Sequence, residues 1–351
     1  MATSFPVSGN YTFQDIVNHA KRESINQGLE IYANAVISPT TGSTQIGSVT
    51  LVPTECFIAT AYAMSVGKGG STVNLQYYSG PSNASIGEKT HRHYCKDGSL
   101  SYPLEEIMTP GSAISGSVRD GDNTTSLMAS ITMSGYFVTA DLNYNAKKVA
   151  LFIGDSIMRG TTMGSTPYTS YATTLTSTSP MDHFAFQVRN HFQQRGEDLR
   201  ILIKAMGSYS AREMGYWLKN GWLDVPQADI IFYQLGVNDS TKGTTNQQFT
   251  DEMNRLIDWR NRLFPNSKLV LVGPTPLNNT TNETTLAGYR SIQSSLANIN
   301  NNIYYLDLSN SFDRTVITNY TASDGVHPNI ANNISVANTY KTWIDTNNIV
   351  I

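Results

Sequence analysis

Charge is scarce in this chain of 351 residues: Asp, Glu, Lys and Arg make up 15% of it, and 24 basic residues against 27 acidic ones leave a formal net charge of -3. An average soluble domain carries about 25% charged residues. The basic residues are scattered, so the electrostatic footprint that nucleic acid or an anionic membrane requires is missing, and neither is expected as a partner. Long apolar runs are missing too. No stretch approaches the roughly 18 residues of a transmembrane helix, and membrane insertion is not expected. The opening Met1-Ala2-Thr3-Ser4-Phe5-Pro6 lacks the basic segment and apolar run of a secretory signal peptide. Cysteine is limited to Cys56 and Cys95, too few for a disulfide-stapled scaffold; the two could form one bridge or remain thiols.

Ser, Thr, Asn, Gly and Tyr supply the polar character that charge does not, and they are distributed differently in two parts of the chain. After an amphipathic segment at 12–27, with Phe13, Ile16, Val17 and Ala20 on one face and Thr12 and Asp15 as a cap, the first part breaks into short strand-like runs. Examples are 47–52, 56–64, 72–78 and 126–140, separated by Gly, Pro, Asn and Asp clusters. That spacing predicts an antiparallel sandwich or jelly roll over 1–145. The second part, 146–351, alternates apolar runs at 149–153, 199–203, 230–235, 268–272 and 303–306 with helical patterns near 183–194, 211–218, 246–263, 286–299 and 330–346. Continuous apolar strands between helices predict an α/β unit, a parallel sheet covered on both faces. Ligands of such sheets sit beyond the carboxyl ends of the strands, so chemistry is to be sought just after each run.

The first run ends in Gly154-Asp155-Ser156. The glycine lets the chain turn tightly and leaves the serine hydroxyl and N–H facing one space, although a plain helix cap gives the same tripeptide. Gly207 follows the second run, and Asn238 follows the third in Gly236-Val237-Asn238-Asp239. A glycine N–H, an uncharged amide and the Ser156 N–H could form a three-donor oxyanion hole; turn punctuation and an ordinary cap are the bland alternatives. In Ser323-Asp324-Gly325-Val326-His327-Pro328, the carboxylate three residues before the imidazole can reach one ring nitrogen and leave the other for a serine. An incidental surface loop would look the same.

Taken together and in this order, the four blocks resemble the SGNH hydrolase superfamily, the GDSL-like esterases and lipases. The resemblance covers roughly 149–346. It implies Ser156 as nucleophile, His327 as base, Asp324 as the acid that orients it, and Ser156, Gly207 and Asn238 as oxyanion donors. It also implies a three-layer α/β/α, flavodoxin-like domain with a five-stranded parallel sheet and no metal or organic cofactor. This chain departs from the family pattern in Ile157 for a leucine, in Ala205 and Ser210 for an Asn and a Gly around Gly207, and in a long polar insertion, 161–180, after the nucleophile. The insertion is expected at the cleft rim.

Among other candidates, His91, His93 and Cys95 alternate as metal ligands on a strand face would, but without a fourth partner they read as a polar strand. Gly67-Lys68-Gly69-Gly70 lacks phosphate-loop spacing and reads as a hairpin turn. Tyr216, Trp217 and Trp222 could stack on sugar rings or pack in a core. The favoured expectation is a serine esterase removing acetyl or another short acyl group from carbohydrate, with the β part as an accessory or anchoring domain. The alternative is a structural or glycan-binding protein. The low-charge Gly/Thr/Asn-rich β part resembles bacteriophage tail proteins, so a virion context and homo-oligomeric assembly through that part are further expectations.

Overall fold

The computed structural model describes residues 12–23, 29–37, 44–50, 55–66, 71–78, 88–95, 98–108, 113–119, 127–139, 141, 145–160, 182–223, 225 and 227–351. They fall into two compact units, one within Tyr11–Ala140 and one from Asp141 onward. The insertion after Ser156 expected at the cleft rim lies outside the described residues.

The first unit opens with α1 (Phe13–Glu23), where the Thr12 N–H donates to Asp15 Oδ2 and the Asp15 N–H to Thr12 Oγ1, a reciprocal cap at 3.0 and 3.2 Å. Ile16, Val17 and Ala20 are buried along its inner face. Among the described residues eight strands follow: β1 (Leu29–Ile37), β2 (Thr44–Thr50), β3 (Glu55–Val66), β4 (Ser71–Tyr78), β5 (Glu88–Cys95), β6 (Gly98–Met108), β7 (Ala113–Arg119) and β8 (Leu127–Thr139). They form two four-stranded sheets, ordered β1-β8-β3-β6 and β2-β7-β4-β5, with antiparallel pairing throughout. The register of β3 shifts between Ala59 and Ala61 against both neighbours, and there Gly135 of β8 runs so close to Ile58 that an added Cβ would fall 2.1 Å from its carbonyl oxygen. Cys56, Phe57, Ile58, Ala59, Met108 and Met133 are fully buried, the consecutive residues 56–59 of β3 on both faces of the strand. One expectation is corrected. The strands flanking Gly67–Gly70 do not form a hairpin, because β3 and β4 belong to different sheets. His91, His93 and Cys95 do alternate on β5, but their side chains lie outside the described residues.

The second unit is built on β9 (Lys148–Gly154), β10 (Leu199–Ala205), β11 (Ile230–Gln234), β12 (Lys268–Gly273) and β13 (Ile303–Asp307), a parallel sheet ordered β10-β9-β11-β12-β13. The helices are α2 (Ser156–Arg159), α3 (Phe184–Gln194), α4 (Ala211–Asn220), α5 (Val237–Lys242), α6 (Asn246–Leu263), α7 (Thr280–Leu296) and α8 (Ile330–Thr346). α3 packs on α8, whereas α4, α6 and α7 pack in succession, so the sheet is flanked by two helix groups. β9 and β11 are buried almost throughout, as apolar strands covered on both faces must be. Phe152 stacks on Phe232 at 4.8 Å, and Tyr340 of α8 meets both Phe232 and Phe184.

α7 begins earlier than the apolar pattern at 286–299 predicts. Asn279 caps it by accepting from the Asn282 N–H, and Glu283 in its first turn is held by the Leu277 N–H and Arg290, so the polar opening turns are secured without an apolar face. The sheet order places the point where strand order reverses beside β9. Gly154 at the end of β9 pairs in register with Ala205 of β10 and Gln234 of β11, so the carboxyl ends of three adjacent strands lie level.

Candidate active site

Each of the three level strand ends delivers one of the singled-out residues. Past β9 the chain turns at Asp155 into the single-turn helix α2, with Ser156 as its first residue. Asp155 Oδ1 accepts from the Ile157 N–H at 3.0 Å, and Gly160 closes the turn at φ 73°. The turn is tight enough that a Cβ on Gly154 would sit 2.5 Å from that of Met158. As first residue of a helix, Ser156 has no intrahelical acceptor for its N–H.

His183, which the sequence did not single out, supports this turn from behind. Its Nδ1 accepts from the Ala185 N–H at 3.2 Å, capping α3, so the ring proton lies on Nε2 and is donated to the Ile157 carbonyl at 3.3 Å. Burial pushes its pKa down to about 4 and keeps it neutral.

His327 comes from the loop before α8. Ser156 Oγ lies 2.7 Å from His327 Nε2, and the His327 Nδ1–H donates to Asp324 Oδ2 at 2.6 Å. Asp324 Oδ1 also accepts from the backbone N–H groups of Val326 and His327, at 2.8 and 2.9 Å. Burial raises the Asp324 pKa, but the hydrogen bonds from the His327 ring and the two N–H groups outweigh it, and the carboxyl ends below its ordinary value. The loop is braced on both sides: the Thr321 N–H donates to the His327 carbonyl at 2.7 Å, and the Asn278 N–H to the Gly325 carbonyl at 3.0 Å. Gly325 has φ 72°, a conformation suited to glycine.

Gly207 lies in the turn after β10, which ends at Ala205, and a Cβ built on it meets no atom within 4 Å. The next residue, Ser208, is held at φ 64° with its carbonyl accepting from Lys242 Nζ at 2.7 Å. Asn238 is on α5, a short helix that the sequence pattern did not reveal, entered through Gly236 at φ 136°. Its Nδ2 donates to the Tyr209 carbonyl at 2.9 Å and leans toward Asp155 Oδ2 at 3.5 Å. The structure thus gathers Ser156, His327 and Asp324 into one hydrogen-bonded line and ties Asn238 to the Asp155 turn.

Two buried carboxyls underlie this arrangement. Asp239 accepts from the Ala211 N–H at the start of α4 at 2.9 Å, and burial pushes its pKa up to about 6. Asp155 is likewise raised to about 6, by burial first, with the Ile157 hydrogen bond and the nearby His327 pulling the other way. Neither burial nor these contacts could be read from sequence, although the turn residues flanking Ser156 and Asn238 marked both positions. Among the described residues, no three His, Cys, Asp or Glu groups could hold a metal ion, and no helix is long and apolar enough to cross a membrane.

The model of the GDSL-like lipase/acylhydrolase family matches residues 152–331. No curated protein sequence matches the chain. Solved structures similar to it include a family two carbohydrate esterase from Cellvibrio japonicus, 14% identical over 91% of this chain and 98% of that one, with a TM-score of 0.41. A family two carbohydrate esterase from Clostridium thermocellum in complex with cellohexaose is 13% identical over 91% and 98%, with a TM-score of 0.42. The salicylyl-acyltransferase SsfX3 from a tetracycline biosynthetic pathway is 15% identical over 90% and 98%, with a TM-score of 0.45.

Proposed function

The chain belongs to the GDSL-like lipase/acylhydrolase family, whose model spans just over half of its residues, and from that premise we propose that it is a serine ester hydrolase working through Ser156, His327 and Asp324. The observation that carries the proposal is the unbroken line from Ser156 Oγ to His327 Nε2 and from His327 Nδ1 to Asp324. His327 Nε2 takes the hydroxyl proton as Ser156 Oγ attacks the ester carbonyl, and Asp324 stabilises the imidazolium that forms. The tetrahedral oxyanion is received by the N–H groups of Ser156 and Gly207 and by Asn238 Nδ2, whose second hydrogen exchanges its long contact with Asp155 for the oxyanion. His327 returns the proton to the leaving alcohol. Water, deprotonated by the same nitrogen, then releases the acid from the acyl-serine.

The substrate we assign is an O-acetyl or other short acyl ester on carbohydrate. Support comes from a chain poor in charge and rich in hydroxyl and amide groups, suited to hydroxyl-rich polymers. The β unit within 1–145 is assigned an accessory or anchoring part beside the hydrolase unit of 146–351. We read this unit as an eight-stranded jelly roll, an architecture used by lectin and capsid domains, a reading supported by its two four-stranded antiparallel sheets.

Hydrolysis of a chromogenic acetate by the protein and by Ser156→Ala tests the core of the proposal. Loss of turnover in the variant is expected, and equal rates would refute it. Acetate release from an O-acetylated bacterial surface polysaccharide, compared with hydrolysis of butyrate and octanoate esters, tests the substrate assignment.

A further inference from the structure

Beside the oxyanion donors, α4 and the chain on either side of it wall a cleft of about 670 Å³, within the size range of small-ligand sites. Its composition is unusual for a surface. Tyr216 and Trp222 remain 54% and 59% exposed, yet their rings are held edge to face at 5.2 Å, with Trp222 carried just past the α4 terminus by Gly221 at φ 69°. Large aromatic rings left in water at this cost in apolar exposure mark a binding surface rather than a core. Facing them are groups that both donate and accept. Glu213 is locked by Lys242 Nζ at 2.7 Å and by the Ser210 N–H at 2.6 Å, so the charges of this pair largely cancel, and Gln248 offers an amide. The wall nearest the donors is Tyr209, the residue whose carbonyl holds the Asn238 side chain.

We propose that this cleft is a pyranose-binding subsite, with Trp222 and Tyr216 as stacking platforms and Glu213, Lys242 and Gln248 as hydroxyl partners. A pyranose presents apolar C–H faces and a rim of hydroxyls, and it fits flat aromatic rings bordered by mixed donors and acceptors. A fatty acyl chain would take the Glu213–Lys242 pair and the Gln248 amide out of water while offering them no polar group in return, an expensive arrangement. Because Tyr209 joins the cleft to Asn238, a sugar seated there would present a neighbouring ester toward Ser156. This orientation rests on the esterase proposal above; the sugar binding itself does not.

The experiment separates the two. Ser156→Ala protein is titrated calorimetrically with cellohexaose, xylohexaose, mannohexaose, chitohexaose and a galacturonate hexamer at up to about 10 mM, beyond the millimolar end of the affinity scale. At least one should bind, and adding Trp222→Ala or Tyr216→Ala should weaken it tenfold or more. Both side chains are exposed, and circular dichroism checks that each variant keeps its fold. No binding by any of the oligosaccharides, or binding unchanged within twofold in both variants, overturns the subsite. In Ser156-intact protein, the ratio of kcat/KM on the acetylated form of the bound oligosaccharide to that on a chromogenic acetate should fall at least fivefold with Trp222→Ala. A selective loss on octanoate esters instead would show an acyl pocket and also overturn the proposal. Failure to hydrolyse any ester strikes the esterase proposal and leaves the titration to judge the subsite.

Discussion

Replacing Asp155 by Asn should make the protein more stable and less active at the same pH. Asp155 is 1% exposed, and its carboxyl is raised from an ordinary 3.8 to about 6, chiefly by burial. A folded pKa above the unfolded one favours the fold below about pH 4, and that contribution is lost as pH rises through about 6. At about 1.36 kcal/mol per pH unit, the ionised carboxylate weakens the fold by about 3 kcal/mol at pH 7.5. Asn keeps Oδ1 to cap α2 and removes the charge, but it turns Nδ2 toward Asn238 Nδ2, a donor facing a donor that costs about 1–2 kcal/mol. The net gain of about 1–2 kcal/mol corresponds to a Tm rise of about 2–8 °C for a unit of this size. At pH 4 the parent carboxyl is itself neutral, only the cost of the facing donors remains, and the variant should be less stable than the parent by about 1 kcal/mol. Because the new Nδ2 donor pushes the Asn238 side chain off the position from which it meets the oxyanion, kcat/KM on a chromogenic acetate should fall about 10²-fold, the scale of a disturbed oxyanion donor. Calorimetric melting at pH 7.5 and 4, alongside steady-state rates, gives the answer. A variant less stable than the parent by the same margin at both pH values would refute the buried-charge argument.

Asn238→Ala should lower kcat by about 10²–10³, measured on the same ester; an unchanged rate would remove Asn238 from the oxyanion site. Asp324→Asn keeps the acceptor for the Val326 and His327 N–H groups but drives the imidazole proton to Nε2, and about a 10⁴-fold loss in kcat is expected. Retention of a tenth of the activity would show that the carboxylate does not orient the base. His183, pushed down to about 4, gives stability that is full above about pH 6.5 and is lost as pH falls toward 4, up to about 3 kcal/mol. His183→Asn, which preserves a capping acceptor, should flatten the fall of Tm between pH 6.5 and 4, and an identical slope would contradict the assignment.

The second unit was legible because its central strands are buried on both faces and its strands therefore read as largely apolar runs, each within two residues of the strand found. In the first unit, β6 escaped notice because Pro103 interrupts it; the structure tolerates that proline because β6 lies at the edge of its sheet, opposite the irregular stretch of β3. β7, Ala-Ile-Ser-Gly-Ser-Val-Arg, carries too little apolar alternation to be told from a loop. The Asp324–His327 contact was readable since three residues of one loop create it. That Ser156 meets His327 across 171 positions was available only through the resemblance to known hydrolases. Asp155 was visible as part of the serine turn, but its burial and the part played by His183 were not, because both are properties of packing.

The open space over Gly207 separates two kinds of selection. Most glycines of this unit that sit in close quarters, Gly154 and Gly273 among them, are guarded by the fold, since a methyl group there would collide with neighbouring atoms. At Gly207 a methyl group collides with nothing that the protein itself supplies. Packing alone would leave a chain free to carry alanine at this position. On the proposed assignment of Gly207 as an oxyanion donor, only a molecule arriving to lie against that backbone would detect the difference, and the residue's constraint would reside in the substrate rather than in the protein.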